Sequence, residues 1–131
     1  MKISDINFSY FIGQKVNEVN TDESHPFGIR FEGGGLIVEC PWRIRRGNSI
    51  LIGTSDCKYA PEKFSHHTVE KLLKKKAIEA ITFYEEFSIF IIKFEENVSL
   101  EMFHDSSYFE GWQLTGDNNF DLISLPGGNI S

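Results

Sequence analysis

The stretch Phe27–Ile44, FGIRFEGGGLIVECPWRI, has a near-echo further along the chain. From Ile92 the sequence runs IKFEENVSLEMF, and from Tyr108 it runs YFEGWQL. Ile29-Arg30-Phe31-Glu32 lies over Ile92-Lys93-Phe94-Glu95. A turn follows each, Gly33-Gly34-Gly35 in the first case and Glu96-Asn97 in the second. Both resume with alternating apolar residues, Leu36-Ile37-Val38-Glu39 and Leu100-Glu101-Met102-Phe103. Period-2 alternation on either side of Gly or Asn predicts strand, tight turn and strand.

The likeness runs outward in both directions. Downstream, Trp42-Arg43-Ile44 matches Trp112-Gln113-Leu114, and each leads through a polar turn to another apolar run, Ile50-Leu51-Ile52 or Phe120-Asp121-Leu122-Ile123. Upstream, Phe11–Val19 lies over Leu72–Ala80, which sets Gly13 against Lys74. A helix is expected before each of these stretches. The first is short, with Ser4 as N-cap, Ile6 and Tyr10 on one face and Gly13 as the stop. The second is longer, with Pro61 in its first turn and a stripe of Phe64, Thr68, Val69, Leu72 and Leu73.

The fold class that follows is α+β, mainly β. Two tandem pseudo-symmetric helix–β-meander repeats, about 4–55 and 62–125 with a tail at 126–131, would share one domain spanning 1–131. They would form one antiparallel sheet or a partly open barrel, with one longer helix. Two copies are too few for a solenoid, which needs about three or more repeats. The linker TSDCKYAPEKFS is too short to separate domains, and the tail PGGNIS is expected to be loose.

A chain of 131 residues with 12 Phe can bury a core without disulfides or metals. No apolar run approaches the roughly 18 residues of a membrane helix. The start, MKISDINFSYF, lacks the pattern of a secretory signal, so a cytoplasmic location is expected. Cys40 and Cys57 fit neither a C-x-x-C motif nor a disulfide framework and are expected to be free thiols. The net charge of −6 argues against nucleic acid as a ligand and favours a basic protein partner. Lys74-Lys75-Lys76 falls at a predicted helix end, where it complements the helix dipole.

Chemistry is sparse. His25, His66, His67 and His104 show no metal-ligand spacing, and adjacent His66 and His67 would point about 100° apart on a helix. His104-Asp105-Ser106-Ser107 reads as a turn, with no nucleophile elbow nearby. Gly33–Gly35 lacks the G-K-[ST] ending of a phosphate loop. No catalytic residue, metal or cofactor is expected. Glu39 and Glu110 each lie just ahead of a Trp and could meet across the pseudo-symmetry axis. Arg43, Arg45 and Arg46 form a basic patch that the second copy lacks. These five are the candidate partner-binding residues. Trp42 and Trp112 read as core plugs.

The order FIG-K-V, then I-FE-GG-L-VE-PWRI, then EGW-L in the second copy resembles a family of small uncharacterised bacterial proteins, a domain of unknown function with two tandem helix-plus-β-meander repeats. Some of its members are associated with toxin immunity. The resemblance covers Phe11 to Leu125 and rests on structural motifs, so it carries over no catalytic residue. It implies a non-enzymatic protein-binding module, an immunity-type neutraliser whose partner is a basic protein such as a toxin. The alternative is a small-molecule-binding β-barrel or an enzyme using a cavity between the repeats. A homodimer through an open strand edge is a third expectation.

Overall fold

The computed structural model describes residues 6–131, so the expected cap Ser4 lies outside the described residues. Ten strands are present: β1 (Val16–Val19), β2 (Phe27–Phe31), β3 (Gly34–Val38), β4 (Trp42–Arg46), β5 (Ser49–Gly53), β6 (Ile78–Tyr84), β7 (Ile89–Phe94), β8 (Val98–Phe103), β9 (Trp112–Gly116) and β10 (Asp121–Ile123). They form two five-stranded antiparallel sheets, ordered β1-β2-β3-β9-β10 and β6-β7-β8-β4-β5. The expected single sheet is thereby corrected. Each half of the chain gives its first three strands to one sheet and its last two to the other. The first crossing is made at Glu39-Cys40-Pro41, where proline has no N–H with which to continue a ladder. The second is made between β8 and β9. The crossings lie side by side, with the Glu39 N–H donating to the Gly111 carbonyl at 2.8 Å and the Phe103 N–H to the Pro41 carbonyl at 2.8 Å.

The paired Phe-Glu motifs have a physical cause. Phe31 and Phe94 are buried in the core. The next residue in each case, Glu32 or Glu95, turns back and accepts a backbone N–H, from Lys15 at 2.7 Å or Ala77 at 2.6 Å. Lys15 and Ala77 themselves bridge the two sheets. Around that bridge the Gly13 N–H donates to the Ile78 carbonyl and the Val16 N–H to that of Lys76. Val16 pairs with Phe31 and Ile78 with Phe94, and a register shift follows at once in both strands. This places Gly13 opposite Lys75, one residue beyond the expected Lys74. Both backbones are left-handed there, with φ of 89° at Gly13 and 69° at Lys75.

Among the described residues there are two α-helices, α1 (Thr54–Tyr59) and α2 (His66–Leu73). The expected first helix is absent from the described residues, since residues 9–13 form turns. The second starts later than Pro61 implied. Its cap is Ser65, whose hydroxyl accepts the His67 N–H at 3.3 Å. The linker holds α1, which had no separate signal. Gly34 is a strand residue rather than a turn residue, because a Cβ there would stand 2.2 Å from the Thr115 carbonyl of β9. The tail is ordered: Ile123 and Ser131 exchange two backbone hydrogen bonds of 3.0 Å, sealing the edge of β10.

The inner faces of the two sheets form one hydrophobic cluster. Val16, Ile29, Phe31, Leu36, Leu114 and Leu122 come from the first sheet, and Ile44, Ile52, Ile78, Ile92, Phe94 and Leu100 from the second. Burial of such side chains is worth about 1.5–3 kcal/mol each. No helix among the described residues is long and apolar enough to cross a membrane.

Candidate functional site

Trp42 and Trp112 begin the strands that follow the two crossings. Trp42 pairs with Met102, and Trp112 pairs with Val38. Each ring also packs against a phenylalanine of the opposite sheet. Trp112 stacks on Phe90 with centroids 4.0 Å apart and planes at 12°, whereas Trp42 lies tilted on Phe27 at 4.6 Å and 51°. The surroundings of the two pairs differ sharply.

At the Trp112 corner the structure is sealed. Trp112 is 1% exposed and its indole nitrogen is buried without a hydrogen-bond partner. Phe83 closes over both rings, edge-on to Trp112 at 5.9 Å. His104 Nδ1 lies 2.6 Å from the Ser124 hydroxyl, and Nε2 lies 2.8 Å from the Phe109 carbonyl. A carbonyl only accepts, so Nε2 carries the proton and Ser124 donates to Nδ1. This is a serine–imidazole pair of the nucleophile–base kind, but Ser124 is fully buried and faces no substrate space.

At the Trp42 corner an open cavity of about 460 Å³ remains. Its walls include Glu23, Glu39, Cys40, Trp42, Thr54 and His66. His66 is 8% exposed, yet it lines this cavity. Its Nδ1 lies 3.1 Å from the Asn20 carbonyl, which only accepts, so Nδ1 carries a proton. Glu23 accepts the His66 backbone N–H at 2.7 Å, which fixes the start of α2 beside the cleft. Thr54 accepts the Trp42 N–H at 2.8 Å and holds the rim. Burial pushes the Cys40 thiol up to about 12, and the charges of Asp105 and Glu39 add to the effect. Burial likewise raises Cys57 to about 11, reinforced by Glu23 and Asp56. Neither is a thiolate near neutral pH, so thiolate nucleophilicity is not available here.

The five residues expected at the site do not form one cluster. Glu39 lines the cleft. Glu110 is exposed on the neighbouring crossing. The two are not equivalents: register sets Glu39 against Phe103, because Val38 and Met102 are the matched residues before them. Arg43 and Arg45 project from the outer face of the second sheet onto Glu101. Arg43 Nε donates to Glu101 Oε1 at 2.6 Å, and Arg45 donates to both oxygens at 3.0 and 2.9 Å. Arg46 is exposed at the turn into β5 and joins neither group. Glu23, His66 and Glu101 were missed as site residues, since their roles come from contacts over long sequence separations. Among the described residues, no group of three or more His, Cys, Asp or Glu is placed to hold a metal ion.

Compared with known proteins, the chain matches no family model, no curated protein and no solved structure.

Proposed function

We propose that the protein is a non-enzymatic protein-binding module, an immunity-type neutraliser that receives a basic segment of a toxin in the cleft beside Trp42. The observation that carries this reading is the open Trp42 corner, set against a Trp112 corner built to the same register and filled. Glu23 and Glu39 in the walls share the sign of the whole chain, −6. A field of that sign speeds encounter with a cationic surface. Trp42, 6% exposed, lines the cleft together with these two carboxylates. The matched strand order and Phe-Glu motifs support descent of the halves from one doubled unit, as in the small bacterial family that the sequence resembles.

Affinity capture from the native cell, followed by binding measurements on the purified pair, tests the reading. Glu39→Lys should weaken the complex at least ~10-fold, as truncating or reversing an interface charge does. A co-expressed toxin from the neighbouring gene should lose its toxicity. The absence of any protein partner and of rescue, or equal binding by Glu39→Lys, would refute the proposal.

The alternative, a small-molecule binder or enzyme, draws on one observation: the imidazole of His66 in the wall of the cleft. It would use this cleft rather than a cavity between the sheets, which the core cluster fills. Self-association is the third reading. It rests on the outer edge of β5, where Ile50 is 58% exposed.

A further inference from the structure

The outer face of the second sheet carries a second, separate feature. Ser99 on β8 pairs with Lys93 on β7 and with Arg45 on β4. Neighbouring strands lie about 4.8 Å apart, so the two cationic stems flank the serine hydroxyl at a span of about 10 Å. The three residues border a hollow of about 240 Å³, whose lining also includes Asn97, Gly47, Ile91 and Glu101. The Gly47 N–H donates to the Asn97 carbonyl at 3.0 Å. A Cβ at Gly47 would press within 3.2 Å of the Asn97 side-chain nitrogen. The hollow is thus ringed by four donor side chains: Arg45, Lys93, Ser99 and Asn97.

Among the described residues, the only carboxylate in the wall is Glu101. It is 3% exposed and already accepts three hydrogen bonds from Arg43 and Arg45. Its charge is therefore neutralised internally, and its effect is to hold the Arg45 guanidinium in one orientation at the rim. Among the described residues Lys93 makes no ion pair. Arg43, Arg45 and Lys93 against Glu101 leave a surplus of positive charge, in a chain whose total is −6. A locally cationic hollow in an acidic protein is preorganised for an anion.

We propose that this hollow binds a phosphate-type dianion, either free phosphate or a phosphoryl group carried on a larger molecule. A carboxylate would be served by an arginine fork, and Glu101 already occupies the paired face of Arg45. Four donors arriving from two neighbouring strands, the strand beyond them and a turn suit a tetrahedral oxyanion. The site is independent of the cleft at Trp42.

Titration of the full chain, followed by amide NMR shifts at constant ionic strength, tests the assignment with inorganic phosphate, phenyl phosphate, acetate and chloride. Saturable phosphate binding with shifts at Lys93, Ser99 and Asn97 is expected. Lys93→Glu, a change at an exposed position, should weaken it at least ~10-fold. Ser99→Ala should weaken it about 3-fold. Tighter binding of phenyl phosphate would mark a phosphoryl group on a larger molecule, and equal binding would mark the free ion. The proposal is overturned if phosphate does not saturate, if Lys93→Glu binds as tightly, or if acetate saturates the same residues equally well.

Discussion

The two tryptophan corners share a register and differ in what surrounds them. At one, Phe83, His104, Ser124 and the stacked Phe90 close over Trp112. At the other, Cys40, Thr54 and His66 stand around Trp42 and leave a cleft. Cys40 occupies the place that His104 takes in the other half, and Thr54 the place of Ser124. An imidazole there reaches the hydroxyl across the corner. At the Trp42 corner, cysteine stands at that position and His66 arrives from α2 instead, turned toward Asn20. The same register therefore yields a sealed corner closed by side chains, and an open one whose walls include His66, Glu23 and Glu39.

Substitution should expose the contrast. Trp112→Ala should cost about 3–5 kcal/mol in urea unfolding, the usual range for a large buried aromatic. Trp42→Ala should cost at least about 1 kcal/mol less, because water from the cleft can fill the space. Equal losses would remove the distinction. The outer faces give a second contrast at matched positions, Glu101 on β8 and Ile37 on β3. Glu101→Ala leaves Arg43 and Arg45 without their shared acceptor. Because both arginines are partly exposed, the cost should be about 2 kcal/mol rather than the full penalty of a broken buried pair. Ile37 is 45% exposed, and Ile37→Ala should stay within about 0.5 kcal/mol.

Alkali should separate the corners by a smaller amount. Cys40 is held protonated to about 12 in the fold, above the ordinary thiol value of 9.0. An acid whose folded pKa is raised contributes stability below the unfolded value and loses it as pH rises toward the folded one. The stability gap between wild type and Cys40→Ala should therefore shrink by up to about 1.4 kcal/mol from pH 9 to pH 10. A constant gap would show that the thiol is not held in a desolvated site. A smaller contrast than that of the thiol concerns the matched turn residues. Lys75 adopts a φ of 69° where Gly13 has 89°. Lys75→Gly should raise stability by up to about 1 kcal/mol, whereas Gly13→Ala should lower it by a similar amount.

The hairpins and the equivalent tryptophans were legible because period-2 alternation and turn residues are local signals. The division into two sheets was not. Nothing in Gly34–Val38 alone says that its second neighbour will be Trp112–Gly116 rather than Trp42–Arg46. The one-residue slip at Gly13 had a similar origin, because a lysine in left-handed backbone carries no mark in the sequence. The turns at residues 9–13 could not be told from a helix stop, and the ordered tail depends on pairing with Ile123. At the sites, Arg43 and Arg45 stood out as a basic patch, but their acceptor is contributed by a strand more than fifty residues away. Glu39 was picked out for a symmetry it does not have, and it reaches the cleft through its place beside Pro41.

Hydrogen exchange of the two indole N–H groups tests the open and sealed corners most directly. Trp42→Phe and Trp112→Phe variants assign the two resonances. The Trp42 indole should exchange rapidly from the native state, at a rate set by access through the cleft. The Trp112 indole should exchange at least ~100-fold more slowly, only when the corner opens by local or global unfolding. Comparable protection of both indoles, or faster exchange at Trp112, would contradict the account.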